Sequence, residues 1–206
     1  MTRGTLVAPT QYMLYVGGAT KWKSFTGTAN HEFYVMNAYN SQKSEIYSNL
    51  YEYGNGFVKV GNSSTYRWTY ISNGARKVDW VSTNGGWYYF WNTNNTQQLE
   101  SGDTTTYISG YMVTKWIKIN GNWFYLDSDG NKDPVTSNNG KMHTGHLYLG
   151  NKHYFLAPYT GFKSYNDASQ SVTYTFEKGQ MVTGYVPKDN TYGGPYWYDP
   201  ADGVSR

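Results

Sequence analysis

The chain has 206 residues, of which 19% are aromatic and only 15% are charged, and it contains 23 Tyr, 8 Trp and 23 Gly. This length suits one or two domains, and the scarcity of aliphatic side chains predicts a core built from Tyr and Trp rings. The absence of Cys excludes disulfides, thiolate metal sites and a Cys nucleophile.

The sequence argues against both nucleic acid and membranes as partners. Lys and Arg number 17 against 14 Asp and Glu, a formal net charge of +3, and the basic residues are scattered singly along the chain. Nucleic-acid binding usually requires them to be clustered. No apolar run approaches the length of a membrane span, and residues 1–18 lack the continuous apolar segment of a signal peptide. We therefore expect neither partner.

Residues 1–77 form the least regular part of the sequence. We predict that they are either divergent repeats or a small β module that caps the rest of the chain, and a separate receptor-binding or connecting module is the rival interpretation. Within this segment, residues 44–53 (SEIYSNLYEY) space their Ile, Leu and Tyr side chains as on one face of a short helix. The same residues also suit a strand.

An internal repeat occupies the second segment, residues 78–206. Trp80 opens the stretch WVSTNGGWYYF, and Trp116 opens WIKINGNWFYL. In each stretch a second Trp follows the first by seven residues, at Trp87 and Trp123, shortly after an Asn-Gly pair. Self-similarity of this kind is the sequence signature of a repeat architecture.

More divergent copies of the same pattern follow. His146 opens HLYLGNKHYFL, in which His153 takes the place of the second Trp. Phe162 and Tyr185 open two further units, and a Thr-Gly pair precedes each of these three openings. The repeat therefore continues beyond the two clearest copies.

Each unit is predicted to be a short β-hairpin. Asn-Gly between alternating aromatic and polar residues is the strongest short hairpin signal, because both residues tolerate the positive φ angles of a tight turn. A single two-stranded hairpin is marginally stable in water, so neighbouring hairpins have to stack to bury their aromatic faces. The expected fold class is therefore all-β, with tandem hairpins stacked into an elongated, solenoid-like array and a small divergent β cap at the N-terminus.

The stretches WVSTNGGWYYF, WIKINGNWFYLDSDG and GKMHTGHLYLGNKHYFL resemble the cell-wall-binding repeats of Gram-positive surface proteins and phage lysins. This family includes choline-binding repeats and the related glucan-binding repeats of glucansucrases. The resemblance implies a non-catalytic, extracellular, cell-wall-associated module that anchors a secreted protein or a phage lysin. It implies no enzyme activity and no cofactor.

For the choline-binding branch, the resemblance implies ligand cages between successive hairpins. Trp80 and Trp87 with a ring of the next unit would form one cage for a quaternary ammonium, and Trp116 and Trp123 with a ring of the following unit would form a second. The candidate ligand-binding set is completed by further aromatic residues of the units, namely Tyr89, Tyr125, Tyr148, Tyr185 and Trp197.

Departures from the choline-binding pattern favour a glycan as the ligand. That branch has Gly before the opening Trp, whereas Asp79 and Lys115 stand there in this chain, and His, Phe or Tyr replaces the Trp in later units. A cell-wall polysaccharide or an α-glucan, stacked on ring faces at several weak sites, is therefore the first expectation, and choline on teichoic acid is the second. A structural spacer or protein-docking stalk is the alternative from another class, and an end-to-end homodimer is left open.

The sequence predicts no metal site and no catalytic residues. His146 and His153 could pair on one side of a hairpin, but no third ligand is evident near them, so a degenerate repeat unit is the simpler interpretation. Carboxylates occur mostly in predicted turns, where a catalytic pair is difficult to build.

Overall fold

A computed structural model shows a chain built of antiparallel β-strands, with no helix in the residues that it describes. These residues are 2–6, 10–15, 22–27, 31–40, 45–53, 56–60, 67–72, 75–103, 105, 107, 109–130 and 132–206. They belong to two compact units, one made of residues 1–79 with 109–112 and the other of residues 80–108 with 113–206. The described part of the chain offers no helix that could cross a membrane.

The first unit contains short antiparallel sheets. Its strands are β1 (Thr2–Leu6), β2 (Thr10–Tyr15), β3 (Trp22–Gly27), β4 (His31–Asn40), β5 (Glu45–Tyr53), β6 (Gly56–Val60), β7 (Arg67–Ser72) and β8 (Ala75–Arg76). They pair in the orders β1-β4-β5, β2-β3 and β6-β7-β8. Because β5 spans Glu45–Tyr53, the strand interpretation of this segment is confirmed and the helical one is wrong. The assignment of residues 1–77 to divergent repeats or to a small β module stays a prediction.

The second unit is a series of hairpins. The remaining strands are β9 (Asp79–Thr83), β10 (Gly86–Phe90), β11 (Gln97–Leu99), β12 (Lys115–Ile119), β13 (Asn122–Leu126), β14 (Gly145–Leu149), β15 (Lys152–Leu156), β16 (Phe162–Tyr165), β17 (Thr173–Phe176), β18 (Gly184–Val186) and β19 (Tyr196–Tyr198). We call β9–β10 hairpin A, β12–β13 hairpin B, β14–β15 hairpin C and β18–β19 hairpin D. Strands β16 and β17 form another hairpin between C and D in the chain. The predicted all-β fold of tandem hairpins is confirmed.

Hairpins A and B turn at the predicted Asn-Gly pairs. Asn84 and Gly85 have φ angles of 48° and 68°, and Asn120 and Gly121 have φ angles of 50° and 87°. Two positive φ angles in a two-residue loop are the mark of a type I′ turn, whose twist matches that of the paired strands. The local sequence therefore sets the position of both turns.

The residue before each opening aromatic residue has a left-handed backbone. The φ angle is 63° at Asp79, 66° at Lys115, 83° at Gly145 and 87° at Gly184. Glycine adopts such angles without strain, whereas a residue with a Cβ atom costs about 1–2 kcal/mol there. This explains the Gly of the Thr-Gly pairs in the later units. Asp79 and Lys115 depart from the pattern in residue type while they keep its backbone geometry.

Replacing Lys115 with glycine is expected to raise the free energy of unfolding by about 1 kcal/mol, because it removes left-handed strain. The Lys115 side chain is exposed, so little packing is lost with it. Urea unfolding measures the change. The control is Lys118→Gly within β12, which should lower the free energy of unfolding by about 0.5–1 kcal/mol. A loss of stability in Lys115→Gly would contradict the strain argument.

Backbone hydrogen bonds tie successive hairpins together. In the segment that follows each of hairpins B, C and D, two consecutive residues donate their backbone N–H groups. The first residue donates to the previous hairpin of the series, and the second donates to the hairpin that the segment follows. The bonds are Met142 N to Trp87 O (2.7 Å), His143 N to Tyr125 O (2.8 Å), Met181 N to Trp123 O (2.8 Å), Val182 N to Phe155 O (2.8 Å), Ser205 N to His153 O (2.7 Å) and Arg206 N to Trp197 O (3.0 Å). Hairpins A to D are therefore stacked in chain order. The elongated, solenoid-like shape of such an array stays a prediction.

Strand alternation gives the middle hairpins two buried faces, since successive side chains of a strand point to opposite sides. One face of hairpin B packs with hairpin A in a cluster of Tyr89, Val113, Ile117, Ile119, Phe124 and Leu126. The other face packs with hairpin C in a cluster of Trp116, Leu147, Tyr154 and Leu156. Hairpins C and D meet in a cluster that includes Phe155, Phe162, Val182, Val186 and Tyr198. The core therefore lies between hairpins.

Candidate ligand-binding sites

An aromatic cavity of about 400 Å³ opens between hairpins A and B, and we call it cage 1. Its apolar walls include Trp80 and Trp87 from hairpin A, Phe124 from hairpin B and Met142 from the segment after hairpin B. The ring centres of Trp80 and Phe124 lie 5.1 Å apart, and the ring planes meet at 66°. These rings therefore form two sides of a box rather than one flat surface.

Polar side chains also line cage 1. Asn120, Asn122 and Gln180 supply amide groups, and Glu177 and Lys178 supply one charge of each sign. Both charged residues are exposed, so water and salt screen their effect. The cage thus combines apolar ring faces with hydrogen-bonding groups, and its lining side chains carry no net charge.

A second cavity, of about 250 Å³, repeats the arrangement between hairpins B and C, and we call it cage 2. Trp116 and Trp123 from hairpin B line it together with Tyr154 from hairpin C and Met181. The ring planes of Trp116 and Tyr154 meet at 65° with centres 4.9 Å apart, and those of Trp116 and Trp123 meet at 86° with centres 6.3 Å apart. Cage 2 is therefore also a box of steeply inclined rings.

The two cages use equivalent positions of the repeat. Each takes both Trp residues from one hairpin, one ring from the next hairpin and one Met from the segment after that. Sequence reasoning expected a ring of the next unit without naming it, and it missed Met142 and Met181. Strand alternation could have identified Phe124 and Tyr154, because the residue after the second Trp position points to the opposite face. The phrases Gly-Lys-Met and Gly-Gln-Met were the signal for the two Met residues.

The Trp residues of the cages differ in exposure. Trp87 has 41% of its surface exposed, whereas Trp116 has 5%. Trp123 is half-buried, and its cross-strand partner Lys118 places Nζ 5.8 Å from the centre of the indole ring. Trp87 therefore offers an accessible ring face, while Trp123 already contacts a cation of its own chain.

Tyr89 and Tyr125 pack against the opening Trp residues. Tyr89 is fully buried, its ring lies 5.1 Å from that of Trp80, and its hydroxyl donates to Oε1 of Gln97 at 2.6 Å. The ring of Tyr125 lies 5.2 Å from that of Trp116. Neither tyrosine lines the cages as a wall residue, so both hold an indole in place from behind.

The other predicted site residues lie outside the cages. Tyr148 is 65% exposed, and its ring stacks on that of His153 at 4.5 Å and 9°. Tyr185 and Trp197 are paired across β18 and β19 in hairpin D and are half-buried. The structure therefore brings the predicted Trp pairs of hairpins A and B together and leaves these three residues apart from them.

His146 and His153 occupy the two Trp positions in hairpin C. Nδ1 of His146 lies 2.8 Å from Nε2 of His153, and Nε2 of His146 lies 2.7 Å from the carbonyl oxygen of Tyr192. Burial, and then the neighbouring imidazole of His146, lower the pKa of His153. Within the described ranges, no group of three or more His, Asp or Glu side chains could hold a metal ion. The two imidazoles thus form a hydrogen-bonded pair.

His143 is expected to stabilise the fold most at mildly acidic pH. Its Nδ1 lies 2.9 Å from Oδ1 of Asp127, and its Nε2 lies 2.8 Å from the carbonyl oxygen of His146. The hydrogen bond with Asp127 is the main cause that raises the pKa of His143. The stabilisation is therefore complete below the ordinary pKa of about 6.5 and is lost as the pH rises through the higher folded-state pKa.

Urea unfolding of the wild type and of His143→Gln, from about pH 5 to pH 9, measures this contribution. The stability difference between the two proteins should shrink as the pH rises. Asp127→Asn should remove most of the pH dependence, since it removes the negative charge. If the stability difference between the wild type and His143→Gln stayed constant over this pH range, the stabilising role assigned to His143 would be contradicted.

Part of the chain matches a known protein family. Residues 114–132 match a family model described as a cell wall binding repeat. This segment contains the whole of hairpin B, including Trp116 and Trp123. No curated protein sequence matches the chain significantly.

The chain is also similar to parts of solved structures. Choline binding protein F from Streptococcus pneumoniae is 24% identical with a TM-score of 0.39, and the match covers 99% of this chain and 64% of that one. The modular Cpl-1 endolysin, complexed with a peptidoglycan analogue, is 20% identical with a TM-score of 0.34 over 78% of this chain and 41% of that one. Alternansucrase, in complex with isomaltononaose, is 18% identical with a TM-score of 0.29 over 73% of this chain and 10% of that one.

This chain spans less than two thirds of the length of each of these three structures. Their TM-scores are too low to assign a ligand or a site to it. The family model is the informative match, since it covers one complete hairpin with both of its Trp residues. The chain therefore carries a repeat of the cell-wall-binding repeat family, at residues 114–132, and the family predicted from the sequence is confirmed.

Proposed function

We propose that the chain is a non-catalytic module that binds a quaternary ammonium group, such as choline on a Gram-positive cell-wall polymer, in cages 1 and 2. The observation that carries the proposal is the recurring box of inclined rings, with 66° between Trp80 and Phe124 and 65° between Trp116 and Tyr154. A compact trimethylammonium group can contact several walls of such a box, and each cation–π contact is worth about 0.5–2 kcal/mol. A sugar ring stacks instead on one broad, open face.

The other groups of the cages suit the same ligand. Met142 and Met181 supply flexible, polarizable thioethers that adapt to the methyl groups of the cation. Cage 2 has more acidic than basic side chains in its lining, namely Glu100 and Asp202 against Lys152. This balance attracts a cation and repels an anion.

A cell-wall polysaccharide or an α-glucan, the first expectation from the sequence, is the second candidate. The observation that favours it is Tyr148, whose ring is 65% exposed and lies flat on that of His153. A flat and open ring of this kind suits stacking against the C–H groups of a sugar. Asn120 and Asn122 offer hydrogen bonds to hydroxyl groups beside cage 1. A sugar would therefore stack on a ring outside the two boxes.

Titration calorimetry with choline chloride and, separately, with an isomaltooligosaccharide tests the two candidates. We expect choline to bind, tetramethylammonium to compete with it because the cages contact the methylated nitrogen, and the sugar to give no heat. Binding of the sugar alone would support the second candidate and overturn the first. Binding of neither ligand would favour the structural spacer or protein-docking stalk.

Two weak cages on one chain suit a polymer that repeats its ligand. Engaging two linked sites raises avidity by about 10²–10⁴ over a single site. Gram-positive cell walls should therefore retain the chain although free choline binds weakly, and excess choline should release it. We accordingly propose an extracellular, cell-wall-associated location. An end-to-end homodimer stays a prediction.

A further inference from the structure

The interface between hairpins C and D stands in the same place in the series as cages 1 and 2, but it is built differently. His146 and His153 replace the two Trp residues, and Tyr196 of hairpin D takes the place of the third ring. The ring of Tyr196 lies 5.4 Å from that of His146 at 70° and 5.3 Å from that of His153 at 78°. The inclined rings of a cage are therefore retained, while the residue types have changed.

The hydrogen bonds of the pair define where its hydrogens lie when both imidazoles are neutral. The Tyr192 carbonyl can only accept, so Nε2 of His146 carries a hydrogen and donates it over 2.7 Å. Nδ1 of a neutral His146 then has a free lone pair, which accepts from Nε2–H of His153 over 2.8 Å. Each imidazole thus carries one proton, and the chain of bonds runs from hairpin C to the loop of hairpin D.

Aromatic rings surround the pair. The ring of Tyr148 stacks on the outer side of His153, and the hydroxyl of Tyr198 lies 3.5 Å from Nε2 of His153. Among the described residues, no carboxylate hydrogen-bonds to either imidazole of the pair. Charged groups reach the pair through backbone atoms. The carbonyl oxygen of His146 accepts from the His143 ring that is paired with Asp127, and Oδ1 of Asp189 accepts from the backbone N–H of Tyr192 at 3.1 Å. Burial lowers the pKa of His153, in agreement with a neutral His153.

We propose that the His146–His153 pair closes this third interface to the ligand at neutral pH and forms an acid-sensitive latch between hairpins C and D. At neutral pH the two imidazoles bond to each other across the space between the rings. The latch also holds the loop between β18 and β19, because its outer bond ends on the carbonyl of Tyr192. The statement about ligand binding rests on the proposed function, whereas the latch itself does not.

A second added proton opens the latch for a geometric reason. One proton can be shared, because a protonated His146 can donate Nδ1–H to Nε2 of a His153 that keeps its hydrogen on Nδ1. A second proton leaves N–H facing N–H across 2.8 Å, and the rings have to separate. The folded pair therefore binds fewer protons than the same residues in the unfolded chain. Folding stability is full above the ordinary His pKa of about 6.5 and falls as the pH drops below it.

The first test reads the imidazoles directly by ¹⁵N nuclear magnetic resonance of the whole chain. At neutral pH we expect His146 and His153 to be neutral, with the hydrogen on Nε2 in both rings. In acid, His153 should take up its proton only below the ordinary His pKa of about 6.5. Both rings found charged at neutral pH, or a His153 that takes up its proton at an ordinary pKa, would overturn the latch.

The second test is urea unfolding as a function of pH, for the wild type and for His153→Phe, which keeps a ring but has no nitrogen. Below about pH 6.5, each extra proton bound by the unfolded chain raises the unfolding constant by up to about tenfold per pH unit. This rise should be shallower in His153→Phe. Equal slopes in the two proteins would overturn the latch, and the resonance experiment decides the matter if the variant does not fold.

Calorimetry with choline chloride at neutral pH tests the closed interface. We expect the double variant His146→Trp with His153→Trp to bind one more choline per chain than the wild type. Equal numbers of sites in the two proteins would overturn the closure. A complete lack of choline binding would overturn the proposed function instead, and the latch would still be judged by the imidazole resonances.

Discussion

Replacing Trp116 with alanine is expected to lower the free energy of unfolding by about 3–5 kcal/mol. The indole is 5% exposed, and its centre lies within 4.9–6.3 Å of the rings of Tyr154, Tyr125 and Trp123. It belongs to the cluster that joins hairpins B and C, so its removal leaves a cavity in that interface. Such a loss is a large fraction of the total stability of about 5–15 kcal/mol that is usual for a domain. Urea unfolding followed by circular dichroism measures it.

Trp87→Ala is the matched control for this substitution. Trp87 is also a cage Trp, but 41% of its surface is exposed, so truncation should cost only about 1–2 kcal/mol. Trp116→Phe retains part of the buried ring, so its loss in the free energy of unfolding should lie between those of Trp87→Ala and Trp116→Ala. Equal losses in Trp87→Ala and Trp116→Ala would show that burial does not set the cost.

Trp87→Ala is expected to weaken choline binding in cage 1 by roughly 2- to 30-fold. This range corresponds to the loss of one cation–π contact of about 0.5–2 kcal/mol. Because Trp87 does not line cage 2, the second site should keep its affinity. Calorimetry should therefore resolve one weakened and one unchanged site per chain.

The control for binding is Tyr148→Ala. Tyr148 is the most exposed of the predicted ligand-binding rings, yet it lines neither cage. Its removal should leave choline affinity unchanged in both cages. If Tyr148→Ala weakened retention on cell walls while Trp87→Ala did not, the ligand would be a sugar stacked on open rings.

The Trp residues of the two cages illustrate where sequence reasoning ends. Trp80 and Trp116 open equivalent units and are indistinguishable by pattern, but only Trp116 is almost completely buried. Tyr89 follows Trp87 in the same aromatic run, yet it is fully buried behind Trp80 rather than facing a ligand. Exposure depends on which neighbouring hairpin covers each face, and that neighbour lies many residues away in the chain.

The third interface shows the same limit. The sequence identified His146 and His153 as degenerate copies of the Trp pair and predicted no metal site from them. It gave no indication that the two rings bond to each other or that the bonds continue to Tyr192, because Tyr192 is 46 residues from His146. That contact depends on the stacking of hairpin D on hairpin C.

The sequence by itself determined the all-β hairpin fold, the Asn-Gly turns of hairpins A and B, the pairing of Trp80 with Trp87 and of Trp116 with Trp123, and the family. Turn geometry and strand alternation act over a few residues, so a local pattern is enough to specify them. Only the tertiary structure decided which ring and which Met complete each cage, which Trp residues are buried, and that a His pair closes the third interface. Those features are contacts between stacked hairpins, and they form only after each hairpin has met its neighbour.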